Sequence, residues 1–118
     1  MNLEAELEQL SLEIKNSQKL LLALGDEIRQ HIILMMMESG DCLGMRVGDI
    51  AKKTHLSRAT VSHHLQILKR AGVVKVRQEA TKNYYYFDGD IDLFDQLITM
   101  LNHAKDIMQR LPKRDAEV

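Results

Sequence analysis

The chain has 118 residues, of which 45% are hydrophobic and 28% are charged, and its formal net charge is −1. This length and balance favour one folded domain with a single core rather than a disordered chain or two domains. The longest apolar run covers only residues 32–37, the first fifteen residues carry four glutamates, and there is one cysteine, so we expect a cytoplasmic protein without a membrane span, signal peptide or structural disulfide.

Positive charge is concentrated in one part of the chain. Residues 50–83 carry eight basic side chains against one glutamate, which gives +7, whereas residues 1–49 sum to −5 and residues 84–118 to −3. A basic block in a nearly neutral chain predicts a polyanionic partner such as nucleic acid. The alternative that charge alone leaves open is a basic face that contacts only solvent.

Two amphipathic helices are predicted before this block. The first has apolar residues three or four positions apart, interrupted at Ser17, namely Leu3, Leu7, Leu10, Ile14, Leu21 and Leu24. Gly25 interrupts the pattern, and Asp26 is a good N-cap for a second helix that runs to about Met37.

The basic block itself has the pattern of a helix-turn-helix over residues 47–71. A short helix from about Val47 to Lys53 is followed by the tight turn 54–56. Ser57 then caps a helix that runs to Ala71, and Gly72 ends it.

Beyond Gly72 the pattern changes from helix to strand and back to helix. Residues 73–77 and 84–87 are β-branched and aromatic runs separated by the polar stretch 78–83, which predicts a β-hairpin over 73–87. A last helix is predicted from about Ile91 to Leu111. Its apolar seam comprises Phe94, Leu97, Leu101, Ala104, Met108 and Leu111.

The two terminal helices carry more apolar surface than a small core needs. We therefore expect a homodimer that forms through the first and last helices. The alternative is that the two seams pack against each other within one chain.

The helix over 57–71 separates into two faces. Val61, Leu65 and Leu68 share the direction expected to be buried, and His64 lies near that side, so we expect it to pack. The opposite face carries small and hydrogen-bonding residues that suit the DNA major groove and its phosphates. The residues predicted to contact DNA are Ser57, Arg58, Thr60, Ser62, His63, Gln66 and Arg70, with Arg77 and Lys82 beside the hairpin turn.

These motifs resemble the ArsR/SmtB family of bacterial winged helix-turn-helix repressors. The resemblance rests on Ile50-Ala51, on residues 56–65 (LSRATVSHHL) and on residues 68–74 (LKRAGVV), and it extends to Leu24–Arg29 and to Asn83–Tyr86. It implies a mainly α fold with a small β-hairpin, the wing. It also implies a homodimer, joined by its first and last helices, that binds an inverted repeat in double-stranded DNA, represses transcription and is commonly released by an inducer.

The resemblance implies two metal sites, which this chain does not reproduce in full. At the positions of the family's cysteine pair stand Arg46 and Gly48, neither of which supplies a thiolate. Cys42 lies four residues earlier and is a candidate redox sensor or an inert thiol.

At the second family site, on the last helix, the spacing is retained but two ligand positions hold aspartates. The candidate divalent-metal ligands are Asp90, Asp92, His103 and Asp106. One nitrogen and three carboxylates form a harder donor set than zinc prefers. In the alternative interpretation Asp90 or Asp92 caps the helix, Asp106 pairs with Arg110, and His103 is solvated.

We therefore predict a sequence-specific DNA-binding regulator, most simply a dimeric repressor. The sequence has no phosphate-binding glycine loop, nucleophile elbow or histidine pair typical of an enzyme. A protein-binding adaptor on a winged-helix fold is the alternative, and the +7 block disfavours it. The residues imply no cofactor besides the candidate metal, and they leave the inducer open.

Overall fold

The computed structural model describes residues 2–40, 43–88 and 91–112. Its elements in chain order are α1 Leu3–Leu24, α2 Glu27–Ser39, α3 Val47–Thr54, α4 Arg58–Arg70, β1 Lys75–Glu79, β2 Lys82–Tyr86 and α5 Asp92–Arg110. Five helices and one antiparallel hairpin confirm the predicted winged helix-turn-helix, mainly α with a small β-hairpin. Among the described residues, every helix is too short or too polar to cross a bilayer.

The predicted caps explain where the central helices begin. The Asp26 carboxylate accepts a hydrogen bond from the Arg29 backbone N–H at 3.0 Å, and the Ser57 hydroxyl accepts one from the Thr60 N–H at 3.1 Å. Each cap satisfies a backbone donor that has no partner within its helix.

Gly72 ends α4 as predicted. Its φ of +82° lies in the left-handed region, and a Cβ at this position would come 2.5 Å from Leu93 Cδ1 at the start of α5. Any other residue would therefore strain the backbone and force the Leu93 side chain to move.

The core lies between α4 and the elements around it. Val61, Leu65 and Leu68 of α4 are each 0% exposed, as predicted, and they pack in one cluster with Ile32 of α2 and Ile50 of α3. The buried face of α4 is thus fixed by the core, and its opposite face is turned outward.

The hairpin differs from the prediction in its turn. The predicted polar loop 78–83 is wrong, because Gln78 pairs with Asn83 and Glu79 with Lys82, leaving a two-residue turn. A feature that the sequence did not reveal fastens the wing: Met45 and Tyr85 exchange two backbone hydrogen bonds of 2.8 Å. The segment before α3 therefore forms one antiparallel bridge to β2, outside the two-stranded sheet.

The terminal helices α1 and α5 pack along each other, and the seam predicted for the last helix lies at the boundary between a buried face and an exposed face of α5. Leu97, Met100 and Ile107 are buried, whereas Leu101 and Met108 are 51% and 70% exposed. One face of α5 is thus covered within the chain, and a second face stays exposed in the single chain. We call the exposed set the apolar stripe: Leu3, Leu7, Ile14 and Leu21 of α1, with Ile98, Leu101 and Met108 of α5.

Candidate nucleic-acid interface

Helix α4 presents the predicted contact residues on its outward side. His63 and Arg70 are exposed, and Ser62 is half-buried. His64 is only 9% exposed, as expected for a packing residue, and its Nδ1 lies 3.2 Å from the Arg29 guanidinium. Burial lowers the pKa of His64, so the ring is neutral over a wider pH range than a solvated histidine.

Three of the contact residues predicted on α4 and its cap already have partners within the chain. Ser57 and Thr60 share a hydroxyl–hydroxyl bond of 2.9 Å at the start of α4, which adds to the helix cap. Gln66 is half-buried, and its Nε2 donates to the Tyr85 hydroxyl of the wing at 3.2 Å. Gln66 therefore links the outward face of α4 to β2, a role that sequence spacing did not indicate.

On the wing, the two predicted basic residues differ. Lys82 is exposed at the turn. Arg77 is held within the chain, because it pairs with Glu79 at 2.7 Å, donates to the Leu43 carbonyl at 3.0 Å and lies 4.6 Å from the centre of the Tyr84 ring. These contacts order the side chain and leave Lys82 as the more available cation of the wing.

Sequence reasoning missed a hollow of about 330 Å³ where α3, α4 and the wing turn meet. We call it the basic hollow, and it is lined by Arg46, Lys52, Arg58, Thr81 and Asn83, together with Val47, Gly48 and Asp49. Three cations face one carboxylate there, so the local field favours an anion. Membership of Lys52 and Arg58 in the +7 block was the available signal, but their proximity to Arg46 and Asn83 depends on the fold.

Gly48 makes this hollow feasible. A Cβ at position 48 would lie 3.0 Å from a terminal nitrogen of Arg58, so the absence of a side chain lets the guanidinium lie against the start of α3. Within the described ranges, Arg46, Lys52 and Arg58 form no ion pair. Their charges are therefore available to phosphate oxygens.

The candidate metal ligands that the structure describes, Asp92, His103 and Asp106, are not brought together in one chain. Asp92 and His103 are separated along α5 by about 16 Å at the usual helical rise. Asp106 pairs with Arg110 at 3.0 Å, as the alternative interpretation predicted. Asp90 and Cys42 lie outside the described residues.

His103 is not solvated, contrary to that alternative. Its Nδ1 lies 2.7 Å from a Glu13 carboxylate oxygen, and its side chain is 17% exposed. Asp92 is the first residue of α5 rather than its cap, a position that Ile91 occupies. Among the described residues, no three histidine, cysteine or acidic side chains form a group that could hold a metal ion.

Comparison with known proteins gives concordant results. A family model described as "Bacterial regulatory protein, arsR family" matches residues 26–76. An uncharacterised helix-turn-helix-type transcriptional regulator of Methanocaldococcus jannaschii is 41% identical over 80 residues, which cover 64% of this chain and 86% of that protein. The transcriptional repressor SdpR of Bacillus subtilis is 36% identical over 80 residues, covering 68% of this chain and 83% of SdpR.

Solved structures were compared with the fold as well. The crystal structure of an ArsR family transcriptional regulator superposes with a TM-score of 0.65 at 12% identity, covering 83% of this chain and 95% of that one. At this identity the likeness concerns the fold alone. The two sequence relatives, by contrast, are 41% and 36% identical to this chain over the matched residues.

Proposed function

The chain belongs to the ArsR family of regulatory proteins, which are DNA-binding transcriptional regulators, and we propose that it is a homodimeric repressor of an inverted-repeat operator. In this proposal α4 enters the major groove and the wing contacts the adjacent backbone. The observation that carries it is the basic hollow at the base of α4, where three cations without carboxylate partners in the described residues surround an open space.

In the proposed interface, the residues of the basic hollow and those of the outward face of α4 have different roles. Arg46, Lys52 and Arg58 supply phosphate contacts that position the protein and make binding dependent on salt. His63 and the neighbouring outward residues of α4 supply contacts to base edges, which confer selectivity. The adaptor alternative does not require cations to gather around the start of α4, so the basic hollow favours DNA.

A homodimer matches an inverted repeat because each protomer can bind one of the two half-sites. The apolar stripe on α1 and α5 stays exposed in one chain, and apolar surface of this extent favours burial against a second copy. The two α4 helices then lie on opposite sides of a two-fold axis, and this symmetry requires an operator of matching symmetry. Binding to chromosomal DNA implies a cytoplasmic location.

No step of this proposal passes through a metal ion. A site on α5 that combined Asp92 with His103 would need ligands from two chains, because one helix holds them too far apart. Whether the chain binds a divalent metal through His103 is tested independently of DNA binding. Metal binding is measured for a panel of divalent ions after chelation, with His103→Ala as the control.

The proposal is tested by footprinting and fluorescence anisotropy on a duplex from the chain's own promoter. We expect a protected inverted repeat and an affinity that falls steeply with salt. His63→Ala should weaken operator binding about 10-fold or more, corresponding to about 1–3 kcal/mol per base contact, and change nonspecific binding little.

Gln66 needs a matched pair of variants because it also contacts the wing. Gln66→Ala removes both the outward amide and the bond to Tyr85, whereas Tyr85→Phe removes only that bond. A larger loss of selectivity in Gln66→Ala supports base contact by Gln66. Operator binding that ignores salt, His63→Ala and Gln66→Ala alike would contradict the proposed interface.

A further inference from the structure

A second basic hollow lies away from the start of α4, between α1, the last turn of α4 and the first turn of α5. Its volume is about 610 Å³, within the range of small-molecule sites in proteins. Lys15, Lys19, Lys69 and Arg70 contribute its charge. Leucine side chains and the small residues at the end of α4 form its apolar wall, namely Leu20, Leu22, Ala71, Gly72 and Leu93. We call it the α1–α4 hollow.

Ser17 lies at this hollow with an unsatisfied hydroxyl. The residue is 4% exposed, and its Oγ has no hydrogen-bond partner within the described part of the chain. A buried hydroxyl without a partner costs about 1–3 kcal/mol, so native proteins rarely keep one without a reason. Ser17 borders this hollow and a neighbouring one, and a rotation of its side chain toward this hollow would let an acceptor atom of a bound molecule satisfy the hydroxyl.

The charge of the residues that line the α1–α4 hollow favours an anionic ligand. No acidic residue is among those that line the α1–α4 hollow, and its four cations form no ion pair within the described ranges. The carbonyl end of α4 contributes only about half a negative charge against them. On the other side of Ser17, a hollow lined by Glu13, Asp92 and Asp95 repels anions. An anion is therefore confined to the lysine side.

We propose that the α1–α4 hollow binds a small organic anion, an apolar ring or branched chain that carries a carboxylate, and that its occupancy weakens operator binding. The apolar body contacts Leu20 and Leu93, the carboxylate faces the cations, and the Ser17 hydroxyl donates to it. The regulatory half of this proposal rests on the proposed function. An anion beside Arg70 neutralises a predicted DNA contact and repels the backbone phosphates.

The binding half is tested without DNA by two-dimensional amide NMR of the full chain, with naphthoate as the probe and uncharged naphthamide as its matched control. We expect saturable shifts from naphthoate that cluster at residues 15–22, 69–72 and 93, and weaker binding of naphthamide. Lys19→Glu should weaken naphthoate binding about fivefold or more, Ser17→Ala should weaken it less, and Lys53→Glu, outside the hollow, should not change it.

The proposed site would be contradicted by amide shifts confined to the apolar stripe, or by shifts that do not saturate at millimolar naphthoate. It would equally be contradicted if naphthoate and naphthamide bound with the same affinity, or if Lys19→Glu and Lys53→Glu changed naphthoate affinity by the same factor. The regulatory half is tested by anisotropy on the operator duplex. Naphthoate at a concentration that half-saturates the wild type should lower the operator affinity of the wild type more than that of Lys19→Glu. A probe that binds in the hollow without changing operator affinity overturns the coupling, whereas a protein that binds no DNA overturns the proposed function and leaves the NMR result intact.

Discussion

Between α1 and α5, cations are paired with carboxylates across the helix interface, whereas around the basic hollow they are not. The Arg110 guanidinium donates to both carboxylate oxygens of Glu6, at 2.9 and 2.7 Å, and His103 contacts Glu13. Arg46, Lys52 and Arg58 have no such partner within the described ranges. The exposed apolar side chains of the apolar stripe lie on α1 and α5, the same two helices that carry the paired charges.

This difference indicates which kind of partner suits the α1–α5 surface and which suits the surface around the basic hollow. An interface that pairs Arg110 with Glu6 and leaves apolar side chains beside it uncovered is suited to another apolar surface. A region with a well-covered core and unpaired cations is suited to a polyanion. One small chain thus keeps its protein-binding and DNA-binding surfaces chemically distinct.

The largest expected effect comes from placing a charge in the apolar stripe. Leu101→Glu should convert the dimer to a monomer, since a buried unpaired carboxylate is costly at an apolar interface. Operator affinity should then fall on the order of 100-fold, because the two half-sites are no longer bound together. Sedimentation and anisotropy measure the two effects.

Asn102→Glu is the matched control, because it adds the same charge at an exposed position next to the stripe. It should leave the dimer intact. A dimer that persists in Leu101→Glu would show that the stripe is not the interface.

A smaller effect is expected when a cation of the basic hollow is removed. Lys52→Ala should weaken binding to all DNA sequences similarly, because a phosphate contact carries no sequence information. It should also reduce the slope of log affinity against log salt by about 0.9. Lys53→Ala, on the same helix but outside the hollow, is the control, and an equal slope change in both variants would argue against a specific phosphate site.

The paired charges of α1 and α5 should affect stability rather than DNA contact. The hydrogen bonds from Arg110 lower the pKa of Glu6, so the ionised carboxylate is favoured in the folded state. The contribution of ionised Glu6 to folding stability is fully present above the ordinary glutamate pKa of about 4.3. It is lost as the pH falls through the lower pKa that Glu6 has in the folded state.

Arg110→Ala should therefore lower the melting temperature at neutral pH and flatten its decline in acid. Lys105→Ala, which removes a cation with no ion pair in the described chain, should leave both unchanged. Thermal unfolding followed by circular dichroism at several pH values makes the comparison. A wild-type acid profile in Arg110→Ala would contradict the importance of this pair.

The smallest effect concerns His64, the histidine on the buried side of α4. Because burial lowers the pKa of His64 in the folded state, the unfolded chain binds the proton more readily, and stability should fall as the pH drops below about 6.5. His64→Gln should flatten this part of the profile, whereas a substitution of the exposed His63 by Gln should not. Denaturant unfolding between neutral and mildly acidic pH distinguishes them.

Much of the central region was predictable because its signals are local. The caps Asp26 and Ser57, the stop at Gly72 and the buried face of α4 depend on side chains a few positions apart, which one helix brings together. The hairpin turn was harder to predict, since polar residues 78–83 read as a loop although Gln78 and Asn83 pair in the sheet. Strand pairing is decided by the partner strand as much as by local composition.

The terminal helices show where periodicity stops being informative. A 3–4 spacing in the last helix is satisfied by two neighbouring faces, and only packing against α1 decides that Met100 and Ile107 are buried while Leu101 and Met108 are not. The same packing places Glu13 beside His103, ninety positions away. No local pattern reports such a contact.

The sequence by itself determined the order of elements, the outward face of α4, the basic block and the family resemblance, because each follows from helical period, capping chemistry or charge counted along the chain. Only the tertiary structure decided which cations gather around one hollow, that Gln66 and Arg77 are held by the wing, and that Ser17 is buried without a partner. These features join residues from separate elements, and their distances are set by how the elements pack.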